Sequence, residues 1–169
     1  ELKPEYGWNY EAGLKGALLA NRLEFNASFY YFALKDAIVR RNNDAGSEYF
    51  VNAGGTIQKG VEVWLNYHLL RNNRGFINGL TIWNSFAYQP YEFDDYKSGQ
   101  NDYSGNPLTG VPRTVNVSGI DMNMRHGLIV NLTFNYTSSL SLNDANTAET
   151  EPYHLLQCKI GKSFTTGKV

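Results

Sequence analysis

The chain has 169 residues, among them 12 Tyr, 9 Phe, 3 Trp, 16 Gly and 5 Pro, a composition suited to aromatic, turn-rich β structure and unlike that of a helical bundle. Its 15 basic and 16 acidic residues leave a formal charge of −1, which supplies no electrostatic footprint for nucleic acid. The single cysteine, Cys158, excludes an internal disulfide and a thiolate metal cluster.

The longest apolar stretches, such as Gly127-Leu-Ile-Val130, are far too short for a membrane-crossing helix of about 20 residues. Strands of about 9–11 residues with every second side chain apolar would suffice for a transmembrane barrel. The chain opens at Glu1 with no basic and apolar leader and stops after a strand-like run, so it is expected to be a piece of a longer protein.

From Tyr6 to Ala20 the even positions (Tyr6, Trp8, Tyr10, Ala12, Leu14, Gly16, Leu18, Ala20) are apolar, while Asn9, Glu11 and Lys15 fall between them. This period of two predicts a first strand. Asn21-Arg22 then reads as a tight hairpin turn into a second, with Leu23, Phe25, Ala27, Phe29, Tyr31 and Ala33 on one face and Glu24, Asn26, Ser28 and Tyr30 on the other.

After a loop at residues 42–47, a third strand is expected from about Glu48 to Leu70, with Val61, Val63, Leu65, Tyr67 and Leu69 opposite Glu62, Trp64, Asn66 and His68. Gly54, Gly55 and Gly60 in its first half predict a bulge or bend. The turn Arg71-Asn-Asn-Arg-Gly75 leads to a fourth strand, Phe76 to Gln89, in which Leu80, Ile82, Phe86 and Tyr88 share a face and Asn84 is the exception. Pro90 to Pro112 lacks any period and reads as one long loop.

The fifth strand, Thr114 to Met124, changes phase near Ser118-Gly119, and a bulge there would restore one apolar face running from Val115 and Val117 to Ile120, Met122 and Met124. After Arg125-His-Gly127 comes a sixth, with Leu128, Val130, Leu132, Phe134 and Tyr136 alternating with Asn131, Thr133 and Asn135. A loop at residues 141–151 precedes the seventh, Tyr153 to Phe164, where Leu156, Cys158 and Ile160 oppose Gln157 and Lys159. The fold class is therefore all-β: an antiparallel up-and-down meander of about seven long strands.

Connections after the odd-numbered strands are short and those after the even-numbered ones long, so one rim carries tight turns, which Arg22, Arg71, Arg74 and Arg125 keep solvated, and the other the loops. Outer-membrane barrels have this asymmetry. Trp8, Tyr10, Tyr31, Tyr67 and Tyr136 lie on apolar faces near strand ends and read either as an interfacial aromatic girdle or as core aromatics, and Cys158 reads as a small lipid-facing residue. Asn-x-Ser/Thr triplets at Asn26, Asn116, Asn131 and Asn135 lie inside strands and are not read as glycan sites.

Several segments carry a family likeness: Leu2-Lys-Pro-Glu5 with Asn9-Tyr-Glu11 and Gly13-Leu-Lys15; Phe29-Tyr-Tyr-Phe32 with Lys35-Asp36 and Ile38; Val51-Asn-Ala-Gly54 with Lys59-Gly-Val-Glu62; Tyr103-Ser-Gly-Asn106 with Gly110-Val-Pro112; and Leu142-Asn-Asp-Ala-Asn-Thr147 with Tyr153. In this order they resemble the C-terminal half of the barrel in TonB-dependent outer-membrane receptors. The resemblance implies a 22-stranded transmembrane barrel filled by an N-terminal plug, of which residues 1–169 are a partial barrel domain without plug, TonB box or an aromatic-ended final strand. It further implies a bacterial outer-membrane location, with membrane lipid, TonB and a ferric siderophore or similar scarce nutrient as partners, and transport rather than enzyme activity. A wall segment alone is not expected to transport, and its free edges and apolar face should drive self-association.

Candidate ligand contacts are Tyr91, Glu92, Asp94, Asp95 and Tyr96 in the longest loop and Trp64 and His68 on the lumenal face. Glu92, Asp94 and Asp95 read either as paired carboxylates for a cation or as a solvated acidic loop; His68 either touches ligand or is an ordinary wall residue; Trp64 packs on a plug. No metal-ligand pair, nucleophile elbow or phosphate loop is found, and no cofactor is expected. The alternative is a soluble all-β carbohydrate-binding module using Tyr91, Tyr96 and Tyr103 as stacking platforms, which would have to close its own core.

Overall fold

The structure, a computed structural model, describes residues 2–42, 46–52 and 54–164. In chain order its strands are β1 (Tyr6–Leu18), β2 (Leu23–Lys35), β3 (Ile38–Asn42), β4 (Glu48–Asn52), β5 (Gly55–Leu70), β6 (Ile77–Tyr88), β7 (Glu92–Asp94), β8 (Lys97–Ser98), β9 (Asn101–Asp102), β10 (Thr114–Met124), β11 (Leu128–Thr137) and β12 (Tyr153–Lys162). The main sheet is an antiparallel meander in the order β1-β2-β5-β6-β10-β11-β12, with the short β7 beside the end of β5. The seven long strands run 13, 13, 16, 12, 11, 10 and 10 residues. Each meets the roughly 9–11 residues a tilted strand needs to cross hydrocarbon.

Register joins side chains into rows across the sheet, because directly opposed residues share a face. One row reads Leu18, Leu23, Tyr67, Ile82, Ile120, Leu132, Cys158; the neighbouring row on the opposite face reads Ala17, Glu24, Asn66, Trp83, Gly119, Thr133, Gln157. The two faces differ as hydrocarbon and water differ. Neither is covered: among the described residues the buried apolar side chains are Ala37 and Tyr96, both outside the main sheet, while Leu14, Phe29 and Leu156 on the apolar face are 66, 58 and 70% exposed. The sheet has no core of its own to close.

The two rims are as unequal as the spacing of turn residues requires. Residues 19–22, 71–76 and 125–127 make one rim and residues 36–42, 46–52, 54, 89–113 and 138–152 the other. The first turn is longer than a two-residue hairpin. β1 stops at Leu18, and Leu19, Ala20 and Asn21 carry the chain round with φ of 53, 53 and 60°.

Three expectations about strand regularity are corrected. The third strand is two strands: β4 pairs with β3 as a separate hairpin, and only β5 joins the sheet. No bulge occurs at Gly60, where the β2–β5 register runs unbroken from Leu23 opposite Tyr67 to Leu34 opposite Thr56; the shift in β5 lies between His68 and Leu70. β10 likewise passes Ser118-Gly119 without a bulge, in register with both neighbours, and shifts only between Asn123 and Met124.

The consequence is that Val115 and Val117 face the polar side, and Asn116 and Ser118 join Asn84 on the apolar side. These three satisfy one another: Asn84 Nδ2 donates to Asn116 Oδ1 and Ser118 Oγ, both at 2.8 Å, and Asn116 Nδ2 donates to Ser118 Oγ at 3.1 Å. Mutual hydrogen bonding removes most of the penalty that would otherwise force a bulge. Apparent phase errors in Asn84 and in β10 are thus one cross-strand pair of rows.

The long loop is also more ordered than its composition suggests. β7 adds to β5, β8 and β9 form a small hairpin, and Glu92 bridges to Pro107.

Candidate functional site: the loop rim and the polar wall

At the long-loop rim, short polar side chains tie distant segments together. Asn52 bonds both ways to Lys3, accepting from its N–H on Oδ1 at 2.8 Å and donating from Nδ2 to its carbonyl at 2.9 Å, and also donates to the Asp36 carbonyl at 2.6 Å. Glu5 accepts from the Ile38 amide, and the Ala37 amide donates to Gly54 O at 2.8 Å. Gly54 has φ +72° and lies so close to Asp95 O that a Cβ would stand 2.1 Å from it. A second knot follows. Tyr96, 2% exposed, packs its ring 4.5 Å from that of Phe93 and 5.7 Å from that of Tyr103, and donates its hydroxyl to Asp144 Oδ2 at 2.8 Å.

Asp144 is the latch between two loops. Its other carboxylate oxygen accepts from Thr109 Oγ1 at 2.7 Å, its carbonyl accepts from Asn106 Nδ2 at 2.8 Å, and the Gly110 amide donates to Ser141 O at 2.9 Å. Beside it, the Tyr96 amide donates to Ser104 Oγ at 3.0 Å, and Ser104 donates from both hydroxyl and amide to Asp102 Oδ1 at 2.6 and 3.0 Å. Those two bonds hold the Asp102 carboxyl below the usual range. Residues from all the segments that carry the family likeness meet on this one rim.

Alternation along β7 separates the predicted loop candidates. Phe93 pairs with Thr56 on the polar side, so Glu92 and Asp94, opposite Ile57 and Gly55, lie on the other. There they meet lysines: Glu92 Oε1 is 2.8 Å from Lys59 Nζ, and Asp94 Oδ2 is 2.5 Å from Lys35 Nζ. Tyr91 turns to the polar side, its hydroxyl 2.8 Å from that of Tyr30 with the rings edge-on at 6.2 Å. Asp95 holds a left-handed turn at φ 51°. Tyr96 is loop core. Among the described residues no group of three His, Cys, Asp or Glu gathers as a metal site requires.

On the polar wall, His68 Nδ1 is 3.0 Å from Thr81 Oγ1 and its Nε2 3.3 Å from Asn66 Nδ2, which donates to Glu24 Oε2 at 3.3 Å. Trp64, 40% exposed, lines a shallow recess with Asn26, Ser28, Glu62 and Ser85. One arrangement goes unseen in the sequence. Trp83 lies over Gly119, donates from Nε1 to Asp121 Oδ2 at 2.9 Å, and Asn131 Nδ2 donates to Asp121 Oδ1 at 2.6 Å. Tyr30 covers Gly60 in the same way, its hydroxyl 2.5 Å from where a Cβ would stand. The signal for these sites was an aromatic and a glycine on strands that pair.

Leucine at position 119 will therefore expel Trp83, since even a Cβ would stand 2.2 Å from the indole Cε2. The bond to Asp121 breaks, the near-ultraviolet tryptophan band collapses in circular dichroism, and stability falls by about 3 kcal/mol. Unchanged spectra in Gly119→Leu would contradict the packing.

The comparisons come from both sequence and structure. The family described as TonB dependent receptor-like, beta-barrel matches residues 1–167. Similar folds include the ferric yersiniabactin uptake receptor FyuA from Yersinia pestis, with a TM-score of 0.72 and 22% identity, covering 94% of this chain and 22% of that one. The ferric-catecholate import receptor Fiu from E. coli K12 gives 0.69 at 18% identity, with 97 and 22% covered, and the copper transporter OprC 0.72 at 14% identity, with 98 and 24% covered. The chain thus spans less than a quarter of the length of these solved structures. With a sheet of alternating apolar and polar faces, unequal rims and a match along almost its entire length, the chain belongs to the TonB-dependent receptor β-barrel family of the bacterial outer membrane.

Proposed function

We propose that residues 1–169 are a stretch of barrel wall, a partial barrel domain, from an outer-membrane transporter that takes up a ferric siderophore or a similarly scarce nutrient. In the complete receptor TonB supplies energy to a plug inside the barrel, and membrane lipid covers the apolar face. The observation that carries this reading is the two-faced sheet, whose apolar face stays exposed among the described residues, with β1 and β12 as its outer strands. A water-soluble sheet of this area would bury its apolar face. The same observation weighs against a carbohydrate-binding module, as does the burial of Tyr96, one of its stacking platforms.

Within the site, Tyr91, Trp64 and His68 face the lumen and are assigned ligand or plug contact, whereas Glu92, Asp94, Asp95 and Tyr96 position the loops. A metal ion moved by such a receptor is cargo and not a resident cofactor.

The chain will need detergent to remain monodisperse in size-exclusion chromatography, and on detergent removal it will self-associate through strand edges and the apolar face. A stable monomer in plain buffer would overturn the reading. In the receptor that carries this segment, Trp64→Ala with His68→Ala will weaken ferric siderophore binding while leaving the heat-modifiable gel mobility of the barrel unchanged.

A further inference from the structure

The short-turn rim has a charge pattern that wall geometry does not require. Arg22, Arg71, Arg74 and Arg125 lie on its three turns, all exposed, and the turns contain no Asp or Glu. Among the described residues none of the four has a carboxylate partner, whereas Lys35, Arg40, Lys59 and Lys97 are ion-paired at or beyond the other rim.

Two of these arginines are fixed in place. Arg71 Nη2 donates to Asn21 O at 2.5 Å and Arg125 Nη2 donates to Arg74 O at 2.6 Å, each reaching from one turn to the next. A guanidinium has five donors, so each keeps most of its fork for another acceptor. Directly alongside, Leu18, Leu19 and Phe76 are 54, 63 and 63% exposed. Leu19 is held there by a left-handed backbone conformation that L residues disfavour.

Four guanidiniums without a carboxylate partner among the described residues, two of them anchored, stand beside exposed Leu18, Leu19 and Phe76, which fits the headgroup layer of a leaflet whose acyl chains meet the apolar face. We propose that the short-turn rim binds anionic phospholipid headgroups through Arg22, Arg71, Arg74 and Arg125, with Leu18, Leu19 and Phe76 seated at the acyl boundary. The occupant is lipid rather than an acidic protein because exposed Leu18, Leu19 and Phe76 flank the arginines where the apolar face ends, although Arg71 itself lines a recess with His68 and Thr81 of the polar face. The inference rests on the barrel-wall reading and adds a headgroup preference to it.

The test reconstitutes the 169-residue chain in neutral-detergent micelles doped with dansyl-labelled phosphatidylglycerol or phosphatidylcholine and follows energy transfer from tryptophan. Transfer will favour phosphatidylglycerol and will fall as sodium chloride is raised. Arg22→Gln with Arg74→Gln, whose side chains hold no turn carbonyl, will weaken phosphatidylglycerol binding about 30-fold. Arg40→Gln, beyond the far rim, will change nothing. Equal transfer to both lipids, insensitive to salt, overturns the headgroup assignment yet leaves the barrel-wall reading standing; no transfer to either lipid brings down both. Displacement of phosphatidylglycerol by millimolar inorganic phosphate or by an acidic peptide would mark a site for free anions or for protein and would also overturn it. Lipid preference and salt dependence are read on the unaltered chain, so a variant that fails to fold does not decide the matter.

Discussion

Alanine at position 54 will open the long-loop rim at a cost of about 3 kcal/mol. Two terms add: a left-handed φ of +72° that a Cβ disfavours, and a Cβ only 2.1 Å from Asp95 O and 2.9 Å from Tyr96 Cα, both backbone atoms that cannot rotate aside. Relief requires the β3–β4 hairpin and residues 89–113 to separate. The cost is therefore local, because β10, β11 and β12 pair without help from Gly54. Amide hydrogen exchange should show faster exchange at Ala37, whose N–H donates to Gly54 O, and at Tyr103, whose N–H donates to Tyr96 O, with Leu132 and Phe134 unaffected. Protection unchanged at Ala37 in Gly54→Ala would show that the close approach is not what holds the rim.

The second large effect lies at Asp144. Removing its carboxylate in Asp144→Ala leaves the hydroxyl of Tyr96, 2% exposed, and that of Thr109 without their acceptor. The part-buried bond from Tyr96 to a charged acceptor contributes roughly 1.5–3 kcal/mol, and the exposed one from Thr109 less, because water replaces it. A loss of about 3 kcal/mol in loop docking follows. Residues 89–113 and 138–152 will then move apart, seen as accelerated proteolysis in both loops at once. Asp144→Asn keeps an acceptor on its side chain and should lose less than half as much. Nicking confined to a single loop would show that Asp144 does not couple them.

Much of this fold can be read from side-chain alternation, and the misses have a common cause. The central stretches of β1, β2, β5 and β11 keep a period of two because each faces apolar surroundings on one side and polar on the other, a local property. Val115, Val117, Asn116 and Ser118 break it because their environment depends on partners in β6: the Asn84 side chain, paired with Ser118, makes an amide tolerable on the apolar face. Gly60 and Gly119 suggest irregular backbone when seen alone. Opposite Tyr30 and Trp83 they are spaces for rings, and nothing in the sequence around a glycine reveals which ring it meets. The candidate site divides in the same way. That residues 91–96 matter was legible from their acid and aromatic content, but the sorting of Tyr91 to the polar side and of Glu92 and Asp94 to lysines on the other follows from β7 joining β5, a pairing of residues more than thirty positions apart.

The order of the long strands in the sheet is their order in the chain, and among the long strands each bonds only to those before and after it. Such wiring is modular. Any two successive strands form a hairpin whose removal would leave the flanking strands antiparallel only if both members go together, so the wall can lengthen or shorten in steps of two without rethreading a connection. A lineage can therefore change the circumference of its barrel by duplicating or losing hairpins, and the register of every other pair survives the change.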